Sequence, residues 1–192
     1  SRVQKGLVES AAESLVVLTA LRQISAEYKL PAVSIFVQKL IKEGEPVVVF
    51  SGFIQPLSLL QKYLGGVLLT GKQSLKNREK AVNSFQKGDS NLLFATYGTA
   101  GIGYTLHRAR NVILLERPWT PGDVAQAEDR CHRLGMNGSL TSHWFQLGLA
   151  DQLVDSLLLD KANQINILMD QETHFNQFQM IPELVHNFLQ EL

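Results

Sequence analysis

One stretch in the second half of the chain places arginines at a spacing that suits phosphate chemistry. Gln126, Arg130 and Arg133 occur at positions i, i+4 and i+7, so on a helix they form one stripe. Arginine stays charged and offers a planar fork of donors that matches phosphate oxygens. Most charged stripes, however, are solvated helix faces. The stripe alone leaves two interpretations open: a solvated face, or a pair of guanidinium groups directed at phosphate.

The same stretch carries an apolar stripe beside the charged one. It consists of residues at i, i+3, i+7 and i+10, namely Val124, Ala127, Cys131 and Leu134. This spacing is typical of a helix that packs one face on a sheet. We therefore predict a helix over residues 121–134, with Pro121 in its first turn.

Two other stretches approach ligand-binding motifs and fail. Residues 66–73 nearly match a phosphate-binding P-loop, but Gln73 stands where the motif needs Ser or Thr to hold magnesium. An apolar strand also fills the space between the two glycines, so we predict a strand that ends in a turn at Gly71. Gly101 and Gly103 lack the third glycine of a dinucleotide fingerprint. The His and Cys residues show no ligand spacing, and no metal site is predicted.

Composition narrows the class of protein. The 192 residues are 45% hydrophobic, and 18 Lys and Arg balance 18 Asp and Glu. A nucleic-acid contact would therefore come from a local patch or from backbone amides, because the chain as a whole is not basic. The single cysteine excludes a disulfide within the chain, and no apolar run approaches the length of a membrane span. We expect an intracellular protein, cytoplasmic if bacterial and nuclear if eukaryotic.

The helices and strands that must position these residues alternate along the chain. Strands are predicted at residues 47–50, 66–70, 91–96, 112–116 and 141–147. Helices are predicted at residues 8–28, 33–42, 56–64, 74–87, 121–134 and 151–169, with a break at Pro31 and a terminal helix in 170–192. Such alternation predicts an α/β fold with a mostly parallel sheet and helices on both faces.

Finer predictions accompany this pattern. Leu75, Val82 and Phe85 are expected to share the buried face of the helix over residues 74–87. We divide the chain into a helical lead-in at 1–44, a central α/β domain at 45–150, and a C-terminal helical brace at 151–192.

Residues 126–135 read Gln-Ala-Glu-Asp-Arg-Cys-His-Arg-Leu-Gly. This stretch resembles the sixth helicase motif of the Swi/Snf family of ATP-dependent DNA translocases, and other stretches resemble further motifs of that family in the family's order. Residues 116–121 resemble its Trp-Asn-Pro turn, 96–106 its fifth motif and 47–51 its fourth. The segment between the fourth and fifth motifs matches the family in the spacing of three residues, Gly71, Arg78 and Phe85. Residues 21–24 resemble the helix that leads into this lobe. The chain departs from the family at Thr120 and Met136. Within the family, Glu116 and the sequence Gln-Ala-Glu-Asp-Arg at residues 126–130 most resemble the annealing-helicase branch.

The resemblance implies a RecA-like second motor lobe and a site shared with another lobe. In such motors the first lobe of the same polypeptide binds ATP and magnesium, and it is absent from this chain. By resemblance, Arg130 and Arg133 are the catalytic arginines, and Gln126, Gly101 and Gly103 contact the nucleotide. The alternatives are a surface salt bridge for Arg133 and tight turns at the glycines. The fragment alone is expected to be inactive.

The resemblance also implies contact with double-stranded DNA. Residues expected to follow one DNA strand along its backbone, without reading sequence, are Ser51, Gly71, Lys72, Tyr97, Gly98 and Thr99. Arg78 is expected to be half-buried and bonded to a nearby loop. Two alternatives stay open: a docking module that has lost motor function, and a strand-separating helicase of a neighbouring family.

Overall fold

The protein, in a computed structural model, is described at residues 2–100, 103–116, 118, 121–132, 139–148, 151–152 and 156. The chain divides into two compact units, Ala26–Leu147 and Ser1–Ser25 with Gly148–Leu192. In the second of these, the Ser25 hydroxyl donates to Asp151 Oδ1 at 3.0 Å. The helix predicted at 170–192, and nearly all of that predicted at 151–169, lie outside the described residues.

Five parallel strands form the sheet of the unit Ala26–Leu147. They are β1 (Val47–Ser51), β2 (Val67–Leu69), β3 (Leu92–Thr96), β4 (Asn111–Leu114) and β5 (Thr141–Trp144). Their order across the sheet is β2-β3-β1-β4-β5, and every pairing is parallel. Each strand connects to the next through a crossover, as parallel strands require. The predicted RecA-like α/β fold class is confirmed.

The helices are α1 (Arg2–Lys42), α2 (Ile54–Leu64), α3 (Leu75–Lys87), α4 (Tyr97–Ala100) and α5 (Pro121–Cys131). None of the described helices is both long enough and apolar enough to cross a membrane. The predicted break at Pro31 is wrong, because α1 continues through it. Proline removes one backbone hydrogen bond from the helix. Burial of Val33, Val37 and Leu40 in the turns that follow offsets this loss, since each is at most 8% exposed.

Both faces of the sheet are covered, and alternate strand residues serve the two faces. One apolar cluster joins the strands to α3 and α5 through Val82, Phe85, Ala127 and Cys131. The other joins them to α1 and α2 through Val33, Val37, Leu57 and Leu60. Within β1, Val48 and Phe50 belong to the first cluster, and Val47 and Val49 belong to the second. This explains why β1 is apolar throughout.

Helix α3 begins and ends at residues that cap it. The Ser74 side chain accepts a hydrogen bond from the Asn77 amide, and Gly88 ends the helix with φ of 88°. Its buried residues are Ala81, Val82 and Phe85. The prediction that Leu75 shares this face is wrong, since its side chain is 63% exposed at the first position of the helix.

Candidate functional site

The carboxyl ends of the strands form the candidate site because the strand order reverses there. From β1 the chain moves toward β2 on one side of the sheet, whereas from β4 it moves toward β5 on the other. Neighbouring strands whose connections diverge leave a crevice at their carboxyl ends, where open α/β sheets bind ligands. The crevice between β1 and β4 therefore marks the candidate site.

Glu116 fills this crevice and bonds to the chain that leaves β1. The Ser51 hydroxyl donates to its carboxylate, with Oγ 3.0 Å from Oε2 and 3.1 Å from Oε1. The amide of Gly52 donates to the same carboxylate. Ser51 Oγ in turn accepts from the Phe53 amide at 2.9 Å. Ser51 and Glu116 are almost fully buried, at 0% and 2% exposed. The carboxylate thus fixes the first residues of the loop after β1.

The end of β3 is tied to the same residue. The Tyr97 hydroxyl donates to the backbone carbonyl of Glu116, and the Tyr97 ring stacks on Phe50 with 5.9 Å between centroids. Thr99, also buried, shares a hydrogen bond of 2.7 Å with Thr96. Glu116, which lies in the segment after β4, therefore joins the loop after β1 to the start of α4, which follows β3. This role of Glu116 was not predicted, and its only signal in the sequence is an acidic residue at the end of an apolar run.

The turn after β2 completes the edge. A Cβ on Gly71 would lie 4.0 Å from Thr99 Oγ1, so the ends of β2 and β3 are neighbours. Gln73 Oε1 accepts from the Thr70 amide at 2.9 Å, which closes the turn. The strand predicted between Gly66 and Gly71 is confirmed as β2, and this stretch is not a P-loop. Arg78 is half-buried and donates to the Gln73 carbonyl at 3.0 Å, as predicted.

Helix α5 carries Gln126 and Arg130 of the charged stripe beside this edge. Ala127 and Cys131 are buried as predicted, and Gln126 is exposed. Arg130 is half-buried, and its Nε is shielded from solvent without a hydrogen-bond partner among the described residues. The Arg130 carbonyl accepts from the Leu106 amide at 2.7 Å, which ties the end of α5 to the loop before β4. Helix α4 lies beside α5.

Some predicted residues lie outside the described part of the chain. Arg133, Leu134 and Gly101 are among them, so their predicted roles stay predictions. Gly103 is described: its φ is 89°, and no atom lies within 4 Å of a Cβ built on it. The position therefore demands glycine for its backbone conformation and leaves the backbone open to approach.

The predicted DNA-contacting residues fall into two groups. Gly71, Lys72 and Gly98 are exposed, whereas Ser51 and Thr99 are buried with their hydroxyls bonded inside the protein. Tyr97 is half-buried. The structure brings Ser51 and Tyr97 together at Glu116, and Gly71 and Thr99 together at the ends of β2 and β3. Contact of these residues with DNA stays a prediction.

Neither thiol nor metal chemistry is evident at this edge. Burial, with a further contribution from the charge of Glu128, raises the pKa of the Cys131 thiol to about 12. The thiol is therefore protonated and a poor nucleophile at neutral pH. Across the described residues, no group of three His, Cys, Asp or Glu side chains could hold a metal ion.

The chain resembles known proteins over most of its length. The family described as helicase conserved C-terminal domain matches residues 31–135. The human "DNA annealing helicase and endonuclease ZRANB3" is 29% identical over 77% of this chain, which spans 14% of that protein. The human "Lymphoid-specific helicase" is 29% identical over 79% of this chain, which spans 19% of that protein. The chain thus corresponds to a small part of these relatives.

A solved structure supports the fold independently. The Sulfolobus solfataricus SWI2/SNF2 ATPase core, solved in complex with double-stranded DNA, superimposes with a TM-score of 0.66 at 23% identity. The match covers 84% of this chain and 38% of that one.

Proposed function

We propose, since this chain belongs to the helicase conserved C-terminal domain family of Snf2-type ATPases, that it is the second motor lobe of a double-stranded DNA translocase driven by ATP. In this proposal the chain completes an ATP site whose first lobe, on the same polypeptide, binds most of the nucleotide and the magnesium ion.

The proposal rests chiefly on Arg130. Its guanidinium group has a buried Nε without a partner among the described residues. A buried donor without a partner costs roughly 1–3 kcal/mol, so such a group is usually explained by a function or an absent ligand. Arg130 as a whole is only half-buried, so the rest of its guanidinium group could meet a phosphoryl group held by a facing lobe.

The chemistry that follows is electrostatic stabilisation of phosphoryl transfer. As the bond to the γ-phosphoryl group breaks, charge spreads over its oxygens, and arginine donors from a second lobe stabilise that charge. We assign this role to Arg130 and Arg133. Gln126 and the backbone at Gly101 and Gly103 contact the nucleotide across the cleft.

DNA contact is proposed for the loops at the carboxyl edge of the sheet. Lys72 and the backbone at Gly71 and Gly98 are exposed and suit phosphate contacts, which position a protein without reading sequence. Ser51, Tyr97 and Thr99 support these loops from within. The Sulfolobus SWI2/SNF2 core, whose fold the chain shares, was solved with double-stranded DNA. A protein acting on DNA would lie in the nucleus of a eukaryote or the cytoplasm of a bacterium.

The catalytic assignment is tested in a protein that joins this chain to a first lobe. Arg130→Ala and Arg133→Ala should each lower DNA-stimulated ATP turnover by about a thousandfold or more, as loss of an arginine finger does in related phosphoryl-transfer systems. Lysine at either position should rescue poorly, because a point charge does not reproduce the planar fork. Phosphate release at saturating ATP and duplex DNA measures the effect.

Asp129→Ala is the matched control, since Asp129 is an exposed residue of the same helix. It should leave turnover nearly unchanged. Equal loss in all three variants would show a structural role for α5 and refute the arginine assignment. Duplex binding by a wild-type protein without any ATP turnover would favour the docking-module alternative.

A further inference from the structure

We infer that Glu116 is a positioning residue for DNA: its carboxylate holds the loop after β1, and its carbonyl holds Tyr97, in the conformation that meets the DNA backbone. The inference rests on the proposed function, because that function assigns these loops to DNA. Glu116 itself would not touch DNA, since it is 2% exposed.

The hydrogen bonds of Glu116 converge from separate strands. Ser51 and Gly52 donate to the carboxylate from the end of β1, and the Tyr97 hydroxyl donates to the Glu116 carbonyl from the end of β3. A carboxylate that accepts several hydrogen bonds forms stronger bonds than a neutral group would. One residue therefore sets the position of the chain after β1 relative to the start of α4, which follows the neighbouring strand β3.

The tight fit around Gly52 supports a specific role for this position. A Cβ on Gly52 would lie 3.2 Å from Glu116 Oε1 and 4.0 Å from the Tyr97 ring. A methyl group at Gly52 would therefore make an unusually tight contact, and the carboxylate would have to shift by a few tenths of an ångström. Displacement of either partner would move the exposed backbone after β1.

The location of Glu116 strengthens the argument. It stands two residues after the end of β4, in the crevice where open α/β sheets place ligands. A buried negative charge beside a proposed phosphate-binding surface would by itself weaken DNA binding. Charge alone therefore does not explain an acidic residue at this position. The hydrogen bonds that Glu116 makes to the neighbouring segments do explain it.

The direction in which one substitution changes DNA affinity separates the effect of charge from the effect of positioning. Glu116→Gln removes the negative charge, so electrostatics alone would tighten binding of DNA. If Glu116 positions these segments, the same substitution should weaken binding about tenfold, because a neutral amide accepts weaker hydrogen bonds from Ser51 and Gly52 than a carboxylate does. The measurement is fluorescence anisotropy of a short mixed-sequence duplex titrated with this chain, at two salt concentrations.

Two readouts separate positioning from general destabilisation. The midpoint of thermal unfolding of Glu116→Gln should stay near the wild-type value, while the Gly52 amide exchanges hydrogen faster. Glu79→Gln, at an exposed position of α3, removes the same charge and should bind DNA as well as wild type or better.

Gly52→Ala is the second variant, and it decides the question if Glu116→Gln does not fold. It keeps every charge and shifts the carboxylate by a few tenths of an ångström, so it too should weaken DNA binding. If either variant folds and binds duplex DNA as tightly as wild type or more tightly, the positioning role is wrong. Wild-type chain without salt-dependent duplex binding would instead refute the proposed DNA contact itself.

Discussion

At the scale of single residues, His143 makes stability sensitive to mild acid. Its ring packs edge-on against Phe36 at 4.8 Å, and its Nε2 lies 2.8 Å from Asn111 Oδ1. Burial lowers the pKa of His143 below its ordinary value of about 6.5. The folded state therefore resists protonation, so the unfolded state binds more protons as pH falls below about 6.5. The stability that the neutral His143 ring contributes is fully present above about pH 6.5 and is lost progressively below it.

We therefore expect the thermal unfolding midpoint to fall between pH 7 and pH 5.5, and His143→Gln to reduce that fall. Glutamine keeps a donor for Asn111 but does not titrate in this range. His132→Gln is the control, because His132 is exposed. An unchanged pH profile in His143→Gln, measured by circular dichroism across this range, would contradict the role of His143.

The burial and contacts of single residues were predictable where they depend on neighbours close in the sequence. The buried positions of Ala127 and Cys131 follow from helical spacing, and Arg78 bonds to a carbonyl five residues away. The bonds of Glu116 join residues that lie 19 to 65 positions apart in the chain. Spacing along a sequence carries no information on such pairs, so the cluster required the fold.

At the scale of the elements, Gly66 sets the position of β2 at the edge of the sheet. Its φ is 89°, and a Cβ there would lie only 2.7 Å from the carbonyl oxygen of Leu92. That oxygen belongs to the backbone of β3, whose register with β2 begins at the next pair, Val67 and Leu93. A side chain at Gly66 would therefore push the two strands apart.

We expect Gly66→Ala to lower stability more than Gly65→Ala. Both glycines have positive φ, so each substitution costs strain of about 1–3 kcal/mol. Gly65 has no atom within 4 Å of its Cβ position, whereas Gly66 adds a backbone clash of about 1–3 kcal/mol more. Urea unfolding measures the difference. Equal losses in the two variants would show that the sheet edge moves to accommodate the methyl group.

Strands and helices were predictable where one hydrophobic pattern dominated the segment. The buried strands read as apolar runs, and all five lie where alternation predicts them, although β2 and β5 are shorter than expected. The break predicted at Pro31 failed because packing of the following turns outweighs one lost hydrogen bond. Helix α4 was missed because a single turn over Tyr97–Ala100 has no periodicity to detect.

At the scale of the whole molecule, the sequence predicted the fold class and family because several motifs occur in a fixed order along the chain. The order along the chain is not the order across the sheet, which is β2-β3-β1-β4-β5. Residues 47–51 form β1, and the stretch 96–106 begins at the end of its neighbour β3, so these two motifs meet at one edge of the sheet. The share of the relatives' length that this chain spans is small, 14% and 19% for the two human helicases. Under the proposed function, ATP turnover therefore depends on groups that a first lobe supplies.

The last prediction is that this chain alone does not hydrolyse ATP. Phosphoryl transfer by such motors needs a Walker A loop and carboxylates that hold magnesium. The nearest match to that loop is occupied by β2, and the Gln73 side chain at its magnesium position bonds to the Thr70 amide. Phosphate release by the chain with ATP, magnesium and duplex DNA should equal that of a protein-free blank. The double variant Arg130→Ala, Arg133→Ala, purified in parallel, identifies contaminants, because a contaminating ATPase would be active in both preparations. Turnover by the wild-type chain that the double variant lacks would mean that the ATP site is complete within these 192 residues, and the two-lobe proposal would be wrong.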